Sequence, residues 1–106
     1  MSANLHQLEP WLYPWAAYLV QFAMRYGASV TSVRRSYYEQ LQLYTDYLSG
    51  YSRYPAAPPG QSMHELGRAF DIAAPAKLLA YLGATWERWG GRWGGRDGTD
   101  PIHFEA

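Results

Sequence analysis

The residues best suited to chemistry are the histidines and carboxylates of two short stretches. "SMHELGRAFD" (62–71) contains His64 and Asp71, and "TDPIHFEA" (99–106) contains Asp100 and His103. The chain has no cysteine, so any zinc must be bound by His, Asp or Glu. Catalytic zinc commonly has three protein ligands and one open position. His64 and Asp71 alone are explained better by an N-cap or loop histidine and a surface carboxylate. A metal site needs a third ligand, and His103 is the candidate.

A hydrolytic metal site also needs a carboxylate that does not bind the metal and that moves a proton. Asp100 lies three residues before His103, and Pro101 restricts the backbone between them. An Asp before a Pro is also common in turns. Glu105, two residues beyond His103, is a rival base. Strand alternation places it on the same face as His103, and this position also suits a residue that supports His103 from behind.

Other candidate residues flank these stretches. Arg35 follows a predicted strand, where a guanidinium can bind a carboxylate or an oxyanion. Arg34 is adjacent and would point to the opposite face. Taken alone, either arginine is better explained as a surface cation. Trp93 in "GGRWGG" and Tyr54 in a long loop are interpreted either as cleft residues or as packing residues.

Hydrophobic periodicity and turn residues predict an α+β domain with a small antiparallel sheet and flanking helices. Ser36 and Glu39 have the spacing of a capping box. Trp11, Trp15 and Trp86 are expected in the core. The predicted helices cover about 10–27, 36–48 and 75–89, the predicted strands cover 28–35, 68–74, 92–94 and 101–105, and a Pro- and Gly-rich loop covers 50–61.

Length and composition limit the alternatives. The chain has 106 residues, 48% of them hydrophobic, and a formal net charge of zero, so we expect one folded domain over 1–106. A neutral chain without a basic excess does not favour binding to nucleic acid. The apolar stretch 11–24 is too short to span a bilayer, so we expect no membrane insertion. The first ten residues lack the pattern of a signal peptide.

Together these motifs resemble the zinc DD-carboxypeptidase and L-alanyl-D-glutamate endopeptidase family, which includes VanY-type carboxypeptidases and phage endolysins. "SMHELGRAFD" fits S-x-H-x-x-G-x-A-x-D, and "DPIHFE" fits a later D/E-x-x-H. "SVRRSYYEQLQLY", "PAAPPGQSMH" and "RWGGRDGTDPIHFE" are similar to the segments that accompany these motifs. The resemblance covers about 30–105, downstream of the N-terminal helix at about 10–27.

The resemblance implies the small α+β fold shared by these peptidases and the Hedgehog signalling domain. It implies one Zn²⁺ ion bound by His64, Asp71 and His103. Asp100 would be the catalytic base and Arg35 would stabilise the oxyanion, although many relatives carry an aromatic residue in place of Arg34. The substrate-binding residues that it suggests are Ser62, Trp93, Gln40 and Tyr54.

The implied function is hydrolysis of the peptide stems of bacterial peptidoglycan. "DPIHFE" favours an L-alanyl-D-glutamate endopeptidase of the endolysin type, and a D-alanyl-D-alanine carboxypeptidase is the alternative. A non-catalytic zinc-binding module with the same fold is the alternative of another class. We expect a monomer that is made in the cytoplasm, as a phage or prophage lysis protein, and that acts on the cell wall.

Overall fold

A computed structural model describes residues 3–106 and has the predicted α+β architecture. The helices are α1 (Tyr13–Met24), α2 (Tyr37–Leu48) and α3 (Ala76–Arg88). The strands are β1 (Ser29–Ser32), β2 (Ala69–Ala73), β3 (Arg92–Trp93) and β4 (His103–Glu105), and short 3-10 turns cover Leu5–Gln7 and Met63–Leu66. No helix in this described part is long and apolar enough to cross a membrane.

The four strands form one antiparallel sheet in the order β1-β2-β4-β3. In the central pair, Asp71 of β2 lies directly opposite His103 of β4. β1 is shorter than the predicted strand 28–35, because its pairing with β2 becomes irregular after Val30 and ends at Ser32. The chain then leaves the sheet, and the Arg35 amide donates to the His64 carbonyl at 3.1 Å. This departure brings Arg35 to the turn that carries His64.

The core packs against one face of the sheet. Phe70 and Ile72 of β2 and Phe104 of β4 are fully buried, and α1 and α3 supply most of the remaining apolar contacts. Phe70 stacks on Phe104, and Trp86 packs edge-on against Phe70. Since side chains alternate along a strand, the residues between these apolar positions point to the opposite face. Asp71 and His103 are two of those residues.

The expectation that Trp11 and Trp15 lie in the core is wrong, whereas Trp86 is buried as predicted. Trp11 and Trp15 are 54% and 53% exposed. α1 buries only one narrow face, and Trp15 lies beside it, next to the half-exposed Trp89 with ring centroids 5.8 Å apart. The buried face of α1 consists of Ala16, Leu19, Val20 and Ala23.

α2 is attached to the domain differently from the other helices. The predicted capping box is confirmed, because the Ser36 side chain accepts from the Glu39 amide and the Glu39 carboxylate accepts from the Ser36 amide. The only fully buried residue of α2 is the polar Gln40. The segment 50–61, which follows α2, contains no helix or strand, as predicted.

Candidate metal site

Three chain segments bring His64, Asp71 and His103 together. Strand pairing places Asp71 opposite His103, and the 3-10 turn Met63–Leu66 carries His64 to the same face of the sheet. One side-chain ligand atom from each residue lies within 4.8 Å of the other two. The turn is held by a second capping box, in which Ser62 accepts from the His64 amide and Glu65 from the Ser62 amide.

Gly67 allows the turn to pass directly into β2. Its φ of +70° is in the left-handed region, which residues other than glycine rarely adopt. A Cβ atom at this position would also lie 3.0 Å from the Gln7 carbonyl oxygen and 3.2 Å from the Arg34 guanidinium carbon. Both the backbone conformation and the lack of space for a Cβ atom therefore favour glycine at position 67.

The two histidines are oriented by hydrogen bonds on their outer nitrogens. His64 Nδ1 donates to the Val33 carbonyl oxygen at 2.5 Å, and His103 Nε2 donates to Glu105 Oε1 at 2.8 Å. The inner nitrogens, His64 Nε2 and His103 Nδ1, lie 3.1 and 3.3 Å from Asp71 Oδ1. Metal-binding histidines commonly have such outer partners, which fix the tautomer and aim the other nitrogen at the ion. The donor set and its orientation therefore fit zinc.

The structure brings Arg35, and not Arg34, to this group. Arg35 donates from Nη2 to Asp71 Oδ2 at 2.8 Å and from Nε to Ser32 Oγ at 2.9 Å. Its third bond runs from Nη1 to Gln40 Oε1 at 3.2 Å. Arg34 is exposed, and its backbone amide donates to Gln7 Oε1.

The surroundings of the two aspartates shift their pKa values in opposite directions. Burial alone would raise the pKa of Asp71, but its contacts with the His103 and His64 imidazoles and the positive charge of Arg35 hold it well below its usual range. Asp71 is therefore an anion, as a metal ligand must be. Asp100 is half-buried, and its pKa is raised by burial and by the negative charge of Asp71. A carboxyl group with a raised pKa is suited to accepting and returning a proton.

These groups line a cleft with a volume of about 370 Å³, which lies within the range of ligand-binding sites. Ser62, Tyr54 and Gln40 lie along it, together with Asp100 and the group of His64, Asp71 and His103. Trp93 packs elsewhere: its indole lies between Gly83 and Gly95, and Nε1 donates to the Pro101 carbonyl oxygen at 2.8 Å. The structure thus gives Trp93 contacts within the fold and shows none with the cleft.

Two residues, Glu105 and Gly94, support the groups that line the cleft. Glu105, considered as a rival base, is bonded to His103 and also pairs with Arg92, with 2.5 Å between Arg92 Nη2 and Glu105 Oε2. Gly94 donates its amide to the His103 carbonyl and accepts from the Asp100 amide. A Cβ atom at Gly94 would lie 3.1 Å from His103 Cβ and 3.2 Å from Asp100 Cβ. The glycine-rich segment was the available signal for this close approach.

Three side chains that could hold a metal ion share one cleft with a separate carboxylate and a guanidinium, on a small α+β domain. The family VanY, described as D-alanyl-D-alanine carboxypeptidase, matches residues 6–91. The chain therefore belongs to the VanY family. A search of curated proteins gives no match.

Solved structures of several peptidoglycan peptidases have the same fold. A Zn(II) complex of the vancomycin-resistance D,D-pentapeptidase VanY from a VanB-type cassette gives a TM-score of 0.72 at 20% identity, covering 92% of this chain and 71% of that one. The L,D-carboxypeptidase DacB from Streptococcus pneumoniae gives 0.68 at 21% identity, covering 98% and 73%. The Serratia marcescens L-Ala D-Glu endopeptidase ChiX gives 0.62 at 22% identity, covering 96% and 82%.

Proposed function

We propose that the protein is a zinc-dependent peptidase that cuts the peptide stems of bacterial peptidoglycan. The observation that carries the proposal is the convergence of His64, Asp71 and His103 in a cleft that also contains Asp100 and Arg35. These three residues would hold the ion. When bound there, zinc would act as a Lewis acid, which polarises the carbonyl oxygen of the scissile bond and offsets the negative charge that develops on it.

The remaining chemistry comes from side chains of the cleft. A guanidinium has five N–H donors, and the described bonds of Arg35 use three of them. The other two are available to the carbonyl oxygen of the scissile bond, whose negative charge grows as the tetrahedral intermediate forms. Asp100 accepts a proton from the attacking water and returns it to the departing amine.

Two scissile bonds are candidates. The family match and a VanYB structure in complex with D-alanine-D-alanine favour D-alanyl-D-alanine. The "DPIHFE" motif and the likeness to ChiX favour L-alanyl-D-glutamate. In both bonds the departing amine belongs to a D-amino acid. The substrates differ on both sides of the bond: the carbonyl group belongs to D-alanine or to L-alanine, and the departing residue carries a methyl group or a longer acidic side chain.

Digestion of muropeptides tests the proposal and distinguishes the bonds. The purified zinc-loaded protein is incubated with defined muropeptides, and the products are identified by mass spectrometry. Free D-alanine identifies the carboxypeptidase, and a new D-glutamyl N-terminus identifies the endopeptidase. A zinc-loaded protein that cuts neither substrate refutes the proposal and favours a non-catalytic zinc-binding module. Clearing of a cell-wall suspension tests the predicted role as a phage or prophage lysis protein.

A further inference from the structure

Gln40 is a buried polar residue on a helix that otherwise stays near the surface. Its residue exposure is 1%, and it is the only fully buried residue of α2. Apolar side chains of the same helix, such as Leu41 and Leu48, are 40% and 65% exposed. A helix is normally held by an apolar stripe, so a polar anchor at this position indicates a specific requirement.

The two ends of the Gln40 amide have different partners. Oε1 accepts from Arg35 Nη1 at 3.2 Å, and Nε2 donates to the Ala57 carbonyl oxygen at 2.9 Å. Arginine can only donate and a carbonyl can only accept, so the residue between them must offer one acceptor and one donor. Glutamine meets this requirement, whereas ionised glutamate lacks the donor and leucine lacks both groups.

The bond to Ala57 ties down a segment that has little other support. The segment 50–61 has no helix or strand, and Tyr54 and Ala57 of this segment line the cleft. Its other backbone bonds lie near its two ends or stay local to it. They run from the amides of Gly50 to the Tyr47 carbonyl, Ser52 to the Asp46 carbonyl, Tyr54 to Ser52 Oγ, Gly60 to the Glu65 carboxylate and Gln61 to the Pro58 carbonyl. The Gln40 amide therefore holds the middle of this cleft wall.

We propose that Gln40 is a positioning residue that couples the orientation of the Arg35 guanidinium to the position of the 50–61 wall. This inference rests on the proposed function and deepens it. One side chain then aligns the group that stabilises charge and the wall that receives the substrate. Loss of the donor releases the wall and raises KM, whereas loss of the acceptor frees the guanidinium and lowers kcat.

Two substitutions separate the two halves of the amide. Gln40→Glu keeps an acceptor for Arg35 and removes the donor to Ala57, so we expect KM to rise about tenfold while kcat changes little. Gln40→Leu removes both bonds, and kcat/KM should fall by about 10- to 100-fold with kcat affected as well. The matched control is Gln42→Leu, since Gln42 is exposed on the same helix and bonds only to Asp46 among the described residues.

Trypsin gives a readout that does not depend on activity. Arg53 is the only Lys or Arg in 50–61 and is exposed, so the rate of cleavage after Arg53 reports how often this wall opens. We expect both Gln40 variants to be cut several-fold faster there than the wild type, and Gln42→Leu to be cut at the wild-type rate.

The two assays separate the two proposals. If Gln40→Glu has the wild-type KM and the wild-type rate of cleavage after Arg53, the positioning role is refuted, whether or not Gln40→Leu folds. If the wild type hydrolyses no muropeptide, the proposed function fails, and the trypsin comparison still decides whether Gln40 holds the wall.

Discussion

Removal of the Glu105 carboxylate should weaken zinc binding although Glu105 is not itself expected to bind the ion. Its Oε1 accepts from His103 Nε2 at 2.8 Å, which leaves the lone pair of His103 on Nδ1, the nitrogen that faces Asp71. Without this acceptor the imidazole can rotate or change its tautomer. The affinity for zinc then falls because a productive ligand geometry is populated for less of the time.

The expected magnitude follows from the hydrogen bond. A bond to a charged partner contributes about 1.5–3 kcal/mol, and the Glu105 side chain is 21% exposed, which places it in the lower part of that range. Glu105→Leu should therefore weaken zinc binding by about 10- to 100-fold, in agreement with the usual effect of removing an outer partner of a metal ligand. Glu105→Gln keeps a neutral acceptor for His103, so it should weaken zinc binding by only about fivefold.

Competition with a chromogenic zinc chelator measures the dissociation constant, and thermal unfolding of the metal-free variants checks that they fold. Glu87→Gln is the matched control, because Glu87 is similarly exposed and pairs with Arg96 away from the ligands. Arg92→Ala should change the affinity by less than about threefold, since Arg92 is 66% exposed and surface ion pairs contribute little. An unchanged zinc affinity in folded Glu105→Leu would refute the orienting role.

Three further predictions concern the ligands and the proton transfer. Asp100→Ala should keep stoichiometric zinc while hydrolysis of muropeptides falls by about 10²- to 10⁴-fold, and wild-type turnover in this variant would exclude Asp100 as the base. His64→Ala should lose stoichiometric zinc in elemental analysis, because it leaves two of the three ligands; full retention of the metal contradicts the triad. Gly94→Ala should cost about 1–3 kcal/mol of stability and reduce activity by displacing Asp100 and His103, as followed by thermal unfolding and kinetics. Gly27→Ala is the control for Gly94→Ala, because a Cβ atom at position 27 has no neighbour within 4 Å. The backbone strain of alanine at φ +86° should lower stability without a loss of activity per folded molecule.

Much of the fold could be predicted from local patterns. Capping residues, prolines and glycines placed α2 and α3 within one or two residues of their observed bounds, and α1 within three. Each of these signals involves residues that are close together in the chain, so it can be recognised from the sequence alone. The error on Trp11 and Trp15 has the opposite origin. Side-chain hydrophobicity does not specify which face of a helix the rest of the domain covers. The domain covers the face of α1 that carries Ala16, Leu19, Val20 and Ala23, and Trp11 precedes the helix.

The sequence predicted which residues belong to the candidate site, but not how their side chains are arranged. Spacing and the likeness to a family proposed His64, Asp71 and His103 as ligands, and the structure brings them together. The sequence left two roles open for Glu105, as a rival to Asp100 or as a support for His103. Pairing between β2 and β4 and the tilt of the His103 ring are needed to see that Glu105 bonds to the imidazole.

The sequence by itself determined the elements, the absence of thiolate ligands and the chemical identity of the groups available for a metal site. Those properties reside in single residues and short spacings, which the chain carries into any fold. The tertiary structure alone decided that the Arg35 guanidinium bonds to Asp71, that Trp93 packs between glycines, and that Gln40 joins Arg35 to the cleft wall. Each of these contacts joins residues whose relative position depends on the packing of the whole domain, which no local pattern specifies.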